Sequence, residues 1–283
     1  MDAAPQRTAF RRLHESGCFV IPNPWDIGTA MMLKHLGFKA LATTSSGFSF
    51  SRGLPDTDWA VPRDMALAHI AEIVTATDLP VNADFESGYA RDPEGVAESC
   101  RLCAATGVAG LSIEDHGEST EEVIYPLDLA VARIRAAADA LKGTGVLLTA
   151  RCEAHLFGLP EAQSTVLKRL VAYAEAGADV LYAPGLRTPD QIREVVSAVA
   201  PKPVNLLISA PIGLTVADAA ALGVRRISVG SALARAAWGG FLKAARDLAA
   251  EGRFDALATA EPFGALNSFF RTHSPKACPE DRP

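Results

Sequence analysis

The sequence has few of the features that mark membrane, secreted or nucleic-acid-binding proteins. No apolar run reaches the ~20 residues of a membrane span, and residues 1–12 lack the apolar core of a signal peptide. The formal net charge is −6 and the pI is near 5.6, which argues against the basic surface that nucleic acids and anionic membranes require. We therefore expect a cytoplasmic protein without a nucleic-acid or membrane partner.

Cysteine is also scarce, with five scattered residues and a single Cys-x-x-Cys pair, Cys100 and Cys103. This pair lies in a helical stretch, and no second pair accompanies it. The spacing therefore favours two packed, reduced thiols over a zinc or redox site.

A glycine-rich phosphate loop is missing after the first apolar run, where residues 23–26 read Asn-Pro-Trp-Asp. What the chain contains instead is eight alternations of a short apolar strand with a helix. Such alternation predicts a parallel sheet with helical crossovers, and eight units in this length fit a closed barrel. We predict an α/β fold, a (β/α)8 TIM barrel formed by a single domain over residues 1–283. Residues from about 252 to 283 form a C-terminal helical extension in this prediction.

Reactive side chains follow the predicted strands at the points where these strands end. The strand-end residues are Asp84, Glu86, Glu114, Arg151 and Asn205. A turn of small residues, 44–47, follows the second strand, and Asp56 lies in the loop beyond it. Because the carboxyl ends of barrel strands form the active-site mouth, we expect these side chains to lie together.

Three carboxylates at one sheet edge, those of Asp84, Glu86 and Glu114, repel one another unless a cation neutralises them. Oxygen ligands of this kind suit Mg²⁺ or Mn²⁺ better than zinc. Structural alternatives stay open at this point. Each acid alone could cap a helix, Arg151 could be only an ion-pair partner, and the small-residue turn could be a plain connection.

Three motifs resemble those of the isocitrate lyase / phosphoenolpyruvate mutase superfamily, and they occur in the family's order within residues 10–250. The family's Asp-x-Asp-x-Gly-Tyr/Phe-Gly motif resembles Asp84-Phe85-Glu86-Ser87-Gly88-Tyr89-Ala90, with Glu for the second Asp. The other two motifs match Ile113-Glu114-Asp115 and Ala150-Arg151-Cys152-Glu153-Ala154. The resemblance implies a Mg²⁺-dependent (β/α)8 barrel that assembles as a homotetramer.

The resemblance also implies roles for the strand-end residues. Asp84 would ligate Mg²⁺ directly, while Glu86 and Glu114 would hold its water molecules. Further groups would face the substrate, with Arg151 clamping its carboxylate, Asp56 at the reacting end and Asn205 as a more distant donor. The small-residue turn would contribute substrate contacts from Ser45, Ser46 and Gly47, with the backbone N–H groups of the last two acting as an oxyanion hole does.

The chain departs from the family in the loop after Glu114-Asp115. Isocitrate and methylisocitrate lyases carry a Lys-Lys/Arg-Cys-Gly-His motif there, whose cysteine serves as the catalytic acid. Residues 116–125 of this chain are instead short, acidic and without cysteine. Our hypothesis is that His116 replaces the missing proton donor, since its ordinary pKa suits proton transfer near neutral pH.

These expectations combine into an enzyme that acts on a small 2-oxo or 2-hydroxy carboxylate through a metal-stabilised enolate of pyruvate type. Within that class we favour a carbon–carbon lyase or an oxaloacetate-type decarboxylase, because loss of CO₂ needs no acid. A P–C bond phosphonomutase or phosphonopyruvate hydrolase is the alternative, since residues 150–154 are closer to the mutase branch. A non-catalytic barrel that binds an oxo acid is the third, because the truncated loop would close poorly over a substrate.

Overall fold

A barrel of eight parallel strands dominates the computed structural model, which describes residues 3–57, 59–117 and 122–273. The strands are β1 Phe19–Ile21, β2 Leu41–Ala42, β3 Val81–Asp84, β4 Gly110–Glu114, β5 Leu147–Arg151, β6 Val180–Tyr182, β7 Val204–Leu207 and β8 Arg226–Ser228. Their order in the sheet is β1-β8-β7-β6-β5-β4-β3-β2, and every pair is parallel. The two end strands are joined beyond β1, where the Ala42 N–H donates to the Pro22 carbonyl at 3.0 Å. The predicted (β/α)8 barrel is therefore confirmed.

Helices occupy every connection between consecutive strands. They are α1 Ala4–Leu13 before β1, then α2 Ile27–His35, α3 Ser45–Ser51, α4 Arg63–Thr75, α5 Pro93–Ala105, α6 Leu127–Leu141, α7 Ala162–Glu175, α8 Pro189–Val199, α9 Val216–Ala221 and α10 Ala232–Glu251. One of them, α3, differs from the sequence-based expectation.

The helix α3 replaces the turn that we predicted over residues 44–47. Thr44 is its N-cap, because its side-chain oxygen accepts a hydrogen bond from the Gly47 N–H at 3.1 Å. Phe48 is buried one turn further on, and its ring stacks on His69 at 3.7 Å between centroids. Serine and glycine have weak helix propensity, so this segment is helical because of its cap and its packing rather than its composition.

The barrel interior is unusually polar above an apolar floor. The floor consists of Phe10 and Leu13 from α1, packed against Ile21 and Leu147. Buried polar residues on the strands above it are Asn82, Ser112, Thr149, Asn205, Arg226 and Ser228. Interiors of such barrels are usually filled by branched apolar residues, so these polar positions indicate that the interior is part of a binding cavity.

The Cys-x-x-Cys pair lies in the apolar layer between helices and sheet. Cys100 and Cys103 are fully buried on α5, and both thiols are unoxidised. Burial raises the pKa of Cys100 to about 12, which keeps it a neutral thiol. The burial of both side chains agrees with the interpretation of these residues as packed thiols.

Two compact units divide the chain, residues 1–233 and residues 234–283. The first contains the barrel. The second contains most of α10, a 3₁₀ helix Asp255–Thr259 and α11 Phe263–His273. The assignment of one domain with an extension from about residue 252 stays a prediction. Among the described residues, no helix is both long and apolar enough to cross a membrane.

Candidate active site

A cavity of about 250 Å³ opens at the carboxyl ends of the strands, and all eight strands or their following residues line it. Its lining includes the predicted site residues Ser45, Ser46, Asp56, Asp84, Arg151 and Asn205. This is the location that the barrel fold favours for an active site. The structure therefore brings most of the predicted site residues together.

Asp84, the last residue of β3, is held by the start of α3. Its Oδ2 accepts hydrogen bonds from the backbone N–H and the side-chain hydroxyl of Ser45, both at 2.9 Å. Its own N–H donates to Thr43 Oγ1 at 2.9 Å. Because β2 and β3 are neighbours in the barrel, a helix that begins directly after β2 reaches the end of β3. These contacts fix one carboxylate oxygen and leave the other directed towards Arg151.

Arg151 ends β5 beside Glu114, which ends β4, and the two are direct partners across the strands. The Nη1 of Arg151 lies 3.0 Å from Glu114 Oε2 and 3.4 Å from Asp84 Oδ1. The guanidinium also lies 5.3 Å from the ring centroid of Tyr182. Burial raises the pKa of Glu114 well above its ordinary value, and the charge of Arg151 opposes that rise.

The bidentate fork of Arg151 is occupied by a residue of its own motif. Nε and Nη2 donate to the two carboxylate oxygens of Glu153 at 2.5 and 3.0 Å, and Glu153 is 1% exposed. We expected this fork to clamp a substrate carboxylate, and Glu153 therefore competes with the substrate for it. Nη1 is the part of the guanidinium that faces the strand-end acids.

Glu86 lies just beyond β3 with a left-handed backbone, at a φ of +47°. Its Oε1 accepts a hydrogen bond from the Tyr89 hydroxyl at 2.9 Å. Burial raises the pKa of Glu86 to about 7, and the nearby charges of Asp84 and Asp56 act in the same direction. A non-glycine residue in this conformation is costly and is typical of a functional site.

Asp56 reaches the cavity from the loop after α3, and the Ser46 side chain hydrogen-bonds to it. Burial raises the pKa of the Asp56 carboxyl, and the charge of Asp84 adds to the rise, whereas Arg151 opposes it. Asp56 thus belongs electrostatically to the same cluster as the strand-end acids.

Four predicted residues are not part of this cavity lining, namely Glu86, Glu114, Gly47 and His116. The N–H of Gly47 is used inside the cap of α3, so it does not face the cavity. His116 forms an antiparallel bridge with Ile124, and its ring stacks on Phe157 at 4.6 Å between centroids, outside the lining. The neighbouring loop residues 118–121 lie outside the described part of the chain.

Asn205 lies deeper inside the barrel than the end of its strand, which was its predicted position. Its Nδ2 donates to Ser228 Oγ at 2.9 Å, and its Oδ1 accepts from Arg226 Nε at 2.8 Å. Arg226 was not among the sequence-based candidates, nor was Tyr182. The signal that could have found Arg226 is its place in an apolar strand, alternating with Ser228, which puts both side chains inside the barrel.

The carboxylates of the site are compatible with a Mg²⁺ ion that retains several of its water molecules. Among the described residues, no group of three His, Cys, Asp or Glu side chains converges closely enough to hold a metal ion by itself. Mg²⁺ requires only one or two protein carboxylates, because it retains several water molecules. Five carboxylates influence one another here, those of Asp56, Asp84, Glu86, Glu114 and Glu153. Within the described chain, Arg151 is the cation that interacts with this cluster, so five carboxyl groups share one guanidinium, and a divalent ion would favour their charged forms.

Known proteins resemble this chain along nearly its whole length. A crystal structure of a candidate lyase/mutase from Burkholderia cenocepacia J2315 is 47% identical, with a TM-score of 0.90 over 95% of this chain and 96% of that one. An uncharacterised protein of Mycobacterium tuberculosis is 36% identical over 225 residues, which are 79% of this chain and 82% of its own. The structure of oxaloacetate acetylhydrolase with its product oxalate is 26% identical, with a TM-score of 0.80 over 93% of each chain.

The family comparison agrees with these similarities. More distant relatives are named 2-methylisocitrate lyase and 2,3-dimethylmalate lyase. The model of the phosphoenolpyruvate phosphomutase family matches residues 10–249, which include the whole barrel and its cavity. The chain therefore belongs to the phosphoenolpyruvate phosphomutase family, within the phosphoenolpyruvate mutase / isocitrate lyase superfamily of lyases and mutases.

Proposed function

We propose that this protein is a Mg²⁺-dependent carbon–carbon lyase or oxaloacetate-type decarboxylase that acts on a small 2-oxo or 2-hydroxy carboxylate. The observation that carries the proposal is the approach of Asp84 and Glu114 to the same Nη1 of Arg151, within 3.4 Å, beside the cavity. A cavity of about 250 Å³ suits a small acid.

The carboxylates would divide the binding of the cation among themselves. Asp84 would ligate Mg²⁺, with Glu86 and Glu114 holding its water molecules, as this ion prefers few carboxylates and several waters. When bound, Mg²⁺ would supply Lewis-acid stabilisation of negative charge on the substrate oxygens. The two hydrogen bonds from Ser45 hold Asp84 in place for this role.

The remaining residues would bind and orient the acid. The Nη1 of Arg151 would offer positive charge to the substrate carboxylate and to the negative charge that develops when the neighbouring carbon–carbon bond breaks. Its bidentate pairing with Glu153 fixes the guanidinium plane. Asp56 would accept or return a proton at its carboxyl oxygen, because burial raises the pKa of this carboxyl and makes it a better proton acceptor.

Within the lyase class, the position of His116 leaves Asp56 as the acid or base on the cavity wall that an aldol-type cleavage would need. An aldol-type cleavage needs a general acid or base near the departing carbonyl group, whereas a carboxylate that leaves as CO₂ does not. His116 lies outside the cavity lining, stacked on Phe157. Its proposed role as proton donor would require the 116–125 loop to bring it inwards.

A P–C bond mutase or phosphonopyruvate hydrolase is the second candidate. The observation in its favour is the match of residues 10–249 to the phosphoenolpyruvate phosphomutase family. The segment 150–154, with Glu153 as the partner of Arg151, is the part of the site that resembles this branch.

The experiment is a substrate panel with the purified protein and MgCl₂: oxaloacetate, methylisocitrate, 2,3-dimethylmalate and phosphonopyruvate. Pyruvate release is coupled to lactate dehydrogenase, phosphate is assayed separately, and phosphorus NMR follows mutase activity. Asp84→Asn and a metal-chelated sample correct for the spontaneous decay of oxaloacetate. Metal-dependent pyruvate release from an organic acid supports the first candidate, and turnover of phosphonopyruvate supports the second. Silence across the panel with Mg²⁺-dependent oxalate binding would contradict both and favour a binding protein.

A further inference from the structure

The guanidinium of Arg226 lies inside the barrel and has only neutral partners. Its Nε donates to Asn205 Oδ1 at 2.8 Å, and its Nη2 donates to Thr149 Oγ1 at 3.1 Å. Its Nη1 lies 3.4 Å from His14 Nε2. The residue is 3% exposed, and no carboxylate of the described chain forms an ion pair with it. A buried cation without a counter-charge is strongly disfavoured, which points to an anion that arrives from outside the protein.

The neighbours of Arg226 cannot supply this negative charge. The Nδ1 of His14 lies 2.8 Å from the Phe10 carbonyl, so it carries the proton and leaves a lone pair on Nε2 for Arg226. Burial, together with the charge of Arg226, lowers the pKa of His14 to about 3. Burial raises the pKa of Tyr182 to about 12, so its hydroxyl is neutral as well.

A buried amide oxygen on the same cavity lacks a hydrogen-bond donor. Asn82 is 4% exposed and lines the cavity, and its Oδ1 has no hydrogen-bond donor within the described structure. A Cβ on Gly110 would lie 2.7 Å from this oxygen, so only a glycine at this position leaves room for the Asn82 amide. Unsatisfied buried polar atoms are rare, and this one shares a cavity with a guanidinium that has no counter-charge, which together indicate a polar occupant.

Arg226 marks a lower end of the cavity, below the strand-end acids. Thr149, which its Nη2 contacts, precedes Arg151 by two residues on β5 and points to the same side of the strand. At the rise of a parallel strand, these two positions are about 7 Å apart. The guanidinium has five N–H groups, of which three have the partners described above.

We propose that Arg226 anchors an anion-binding subsite inside the barrel, which receives the distal carboxylate of a short dicarboxylate whose other end lies at Asp84 and Arg151. This inference rests on the proposed function, which places the reacting carboxylate at the mouth. It adds that the substrate extends down into the barrel and that selection for a diacid over a monoacid of equal length occurs at Arg226. The Oδ1 of Asn82 would accept a hydrogen bond from a ligand hydroxyl or from a water beside it.

The test is isothermal titration calorimetry in MgCl₂ with two matched pairs: oxaloacetate against 2-oxobutyrate, and 2-oxoglutarate against 2-oxopentanoate. Each pair differs by a carboxylate in place of a methyl group. Oxalate reports on the mouth alone, and formate reports on a free small anion. In the wild type, we expect the diacid of at least one pair to bind about tenfold more tightly than the matched monoacid. Arg226→Met should abolish this preference and leave oxalate binding unchanged, whereas Arg226→Lys should retain part of it.

Three results would overturn the inference: equal affinity of the wild type for both members of each pair, a diacid preference that survives in Arg226→Met, or Arg226-dependent binding of formate without a diacid preference. If Arg226→Met does not fold, the wild-type comparison and Arg226→Lys decide. The proposed function fails separately, since it is contradicted when the wild type shows no Mg²⁺-dependent oxalate binding, whatever the diacid preference.

Discussion

The Nη1 of Arg151 lies 3.0 Å from the Oε2 of Glu114, and the two residues are direct partners at the ends of β5 and β4. The remaining donors of the same guanidinium are bound to Glu153. One planar group therefore contacts three carboxylates, with Glu114 and Asp84 at Nη1 and Glu153 at the fork. A lysine ammonium is a point charge and cannot reproduce this arrangement.

We expect Arg151→Lys to lower kcat/KM by about 10²-fold or more, as loss of an oriented charged donor does in other active sites. The measurement is steady-state turnover of the substrate found in the panel, with circular dichroism to confirm folding. Arg187→Lys, at an exposed position, is the matched control. Retention of a third or more of the activity would show that charge alone suffices at residue 151.

Ser45 supports the proposed metal ligand. Its hydroxyl donates to Asp84 Oδ2 at 2.9 Å, and Ser45→Ala removes this hydrogen bond while the backbone N–H remains. A hydrogen bond to a charged group contributes about 1.5 kcal/mol or more, so the half-saturating Mg²⁺ concentration should rise about tenfold. A titration of activity with MgCl₂ measures it.

Ser51→Ala is the control for this prediction, because Ser51 ends the same helix and donates only to the Phe48 carbonyl at 2.7 Å. Equal Mg²⁺ dependence in the two variants would mean that Ser45 does not position Asp84.

We expect Asp115 to stabilise the folded protein rather than to take part in the reaction, although it directly follows the site residue Glu114. Its Oδ2 accepts from the Tyr173 hydroxyl at 2.6 Å and from Arg169 Nη1 at 2.9 Å. Its Oδ1 accepts from the Glu153 N–H at 2.8 Å. Asp115→Asn leaves a buried guanidinium without its counter-charge, so the free energy of unfolding should fall by about 3–5 kcal/mol.

Urea unfolding measures this loss, with Asp84→Asn as the comparison. Asp84 lies in the crowded acid cluster, so removal of its charge should cost far less stability. Losses of similar size in the two variants would contradict the distinction between a structural acid and a site acid.

Because His14 is buried, we expect the free energy of unfolding to depend on pH. Its pKa is lowered to about 3 in the folded protein, chiefly by burial and then by the charge of Arg226. The unfolded chain takes up a proton at His14 below pH 6.5, whereas the folded chain does not until about pH 3. Stability is therefore lost as the pH falls through this window, with about 2 kcal/mol lost between pH 7 and pH 5.

In His14→Gln, the difference in unfolding free energy between pH 7 and pH 5 should be smaller than in the wild type by about this amount. Urea unfolding at both pH values gives the comparison. An unchanged difference in the variant would show that His14 is not the titrating group, and hence that its contact with Arg226 does not require a neutral ring.

The barrel was predictable because its strands and helices alternate regularly, and the acids were predictable because parallel strands end at one edge. Asp84, Glu114 and Arg151 follow from this rule, and the structure brings them within contact distance. The helix α3 was not predictable from composition, since serine and glycine residues form it around a threonine cap. The N–H of Gly47 was for the same reason assigned to the cavity and is found in the cap.

The fold family and the strand-end cluster of acids follow from the sequence, since both depend on periodicity and on which residue ends each strand. The tertiary structure alone decided that Glu153 occupies the fork of Arg151, that His116 stacks outside the cavity and that Arg226 lies inside the barrel near Thr149. These contacts depend on side-chain directions and on distances across the barrel. Positions such as 149 and 226 are far apart in the chain, and only the closure of the sheet brings them together.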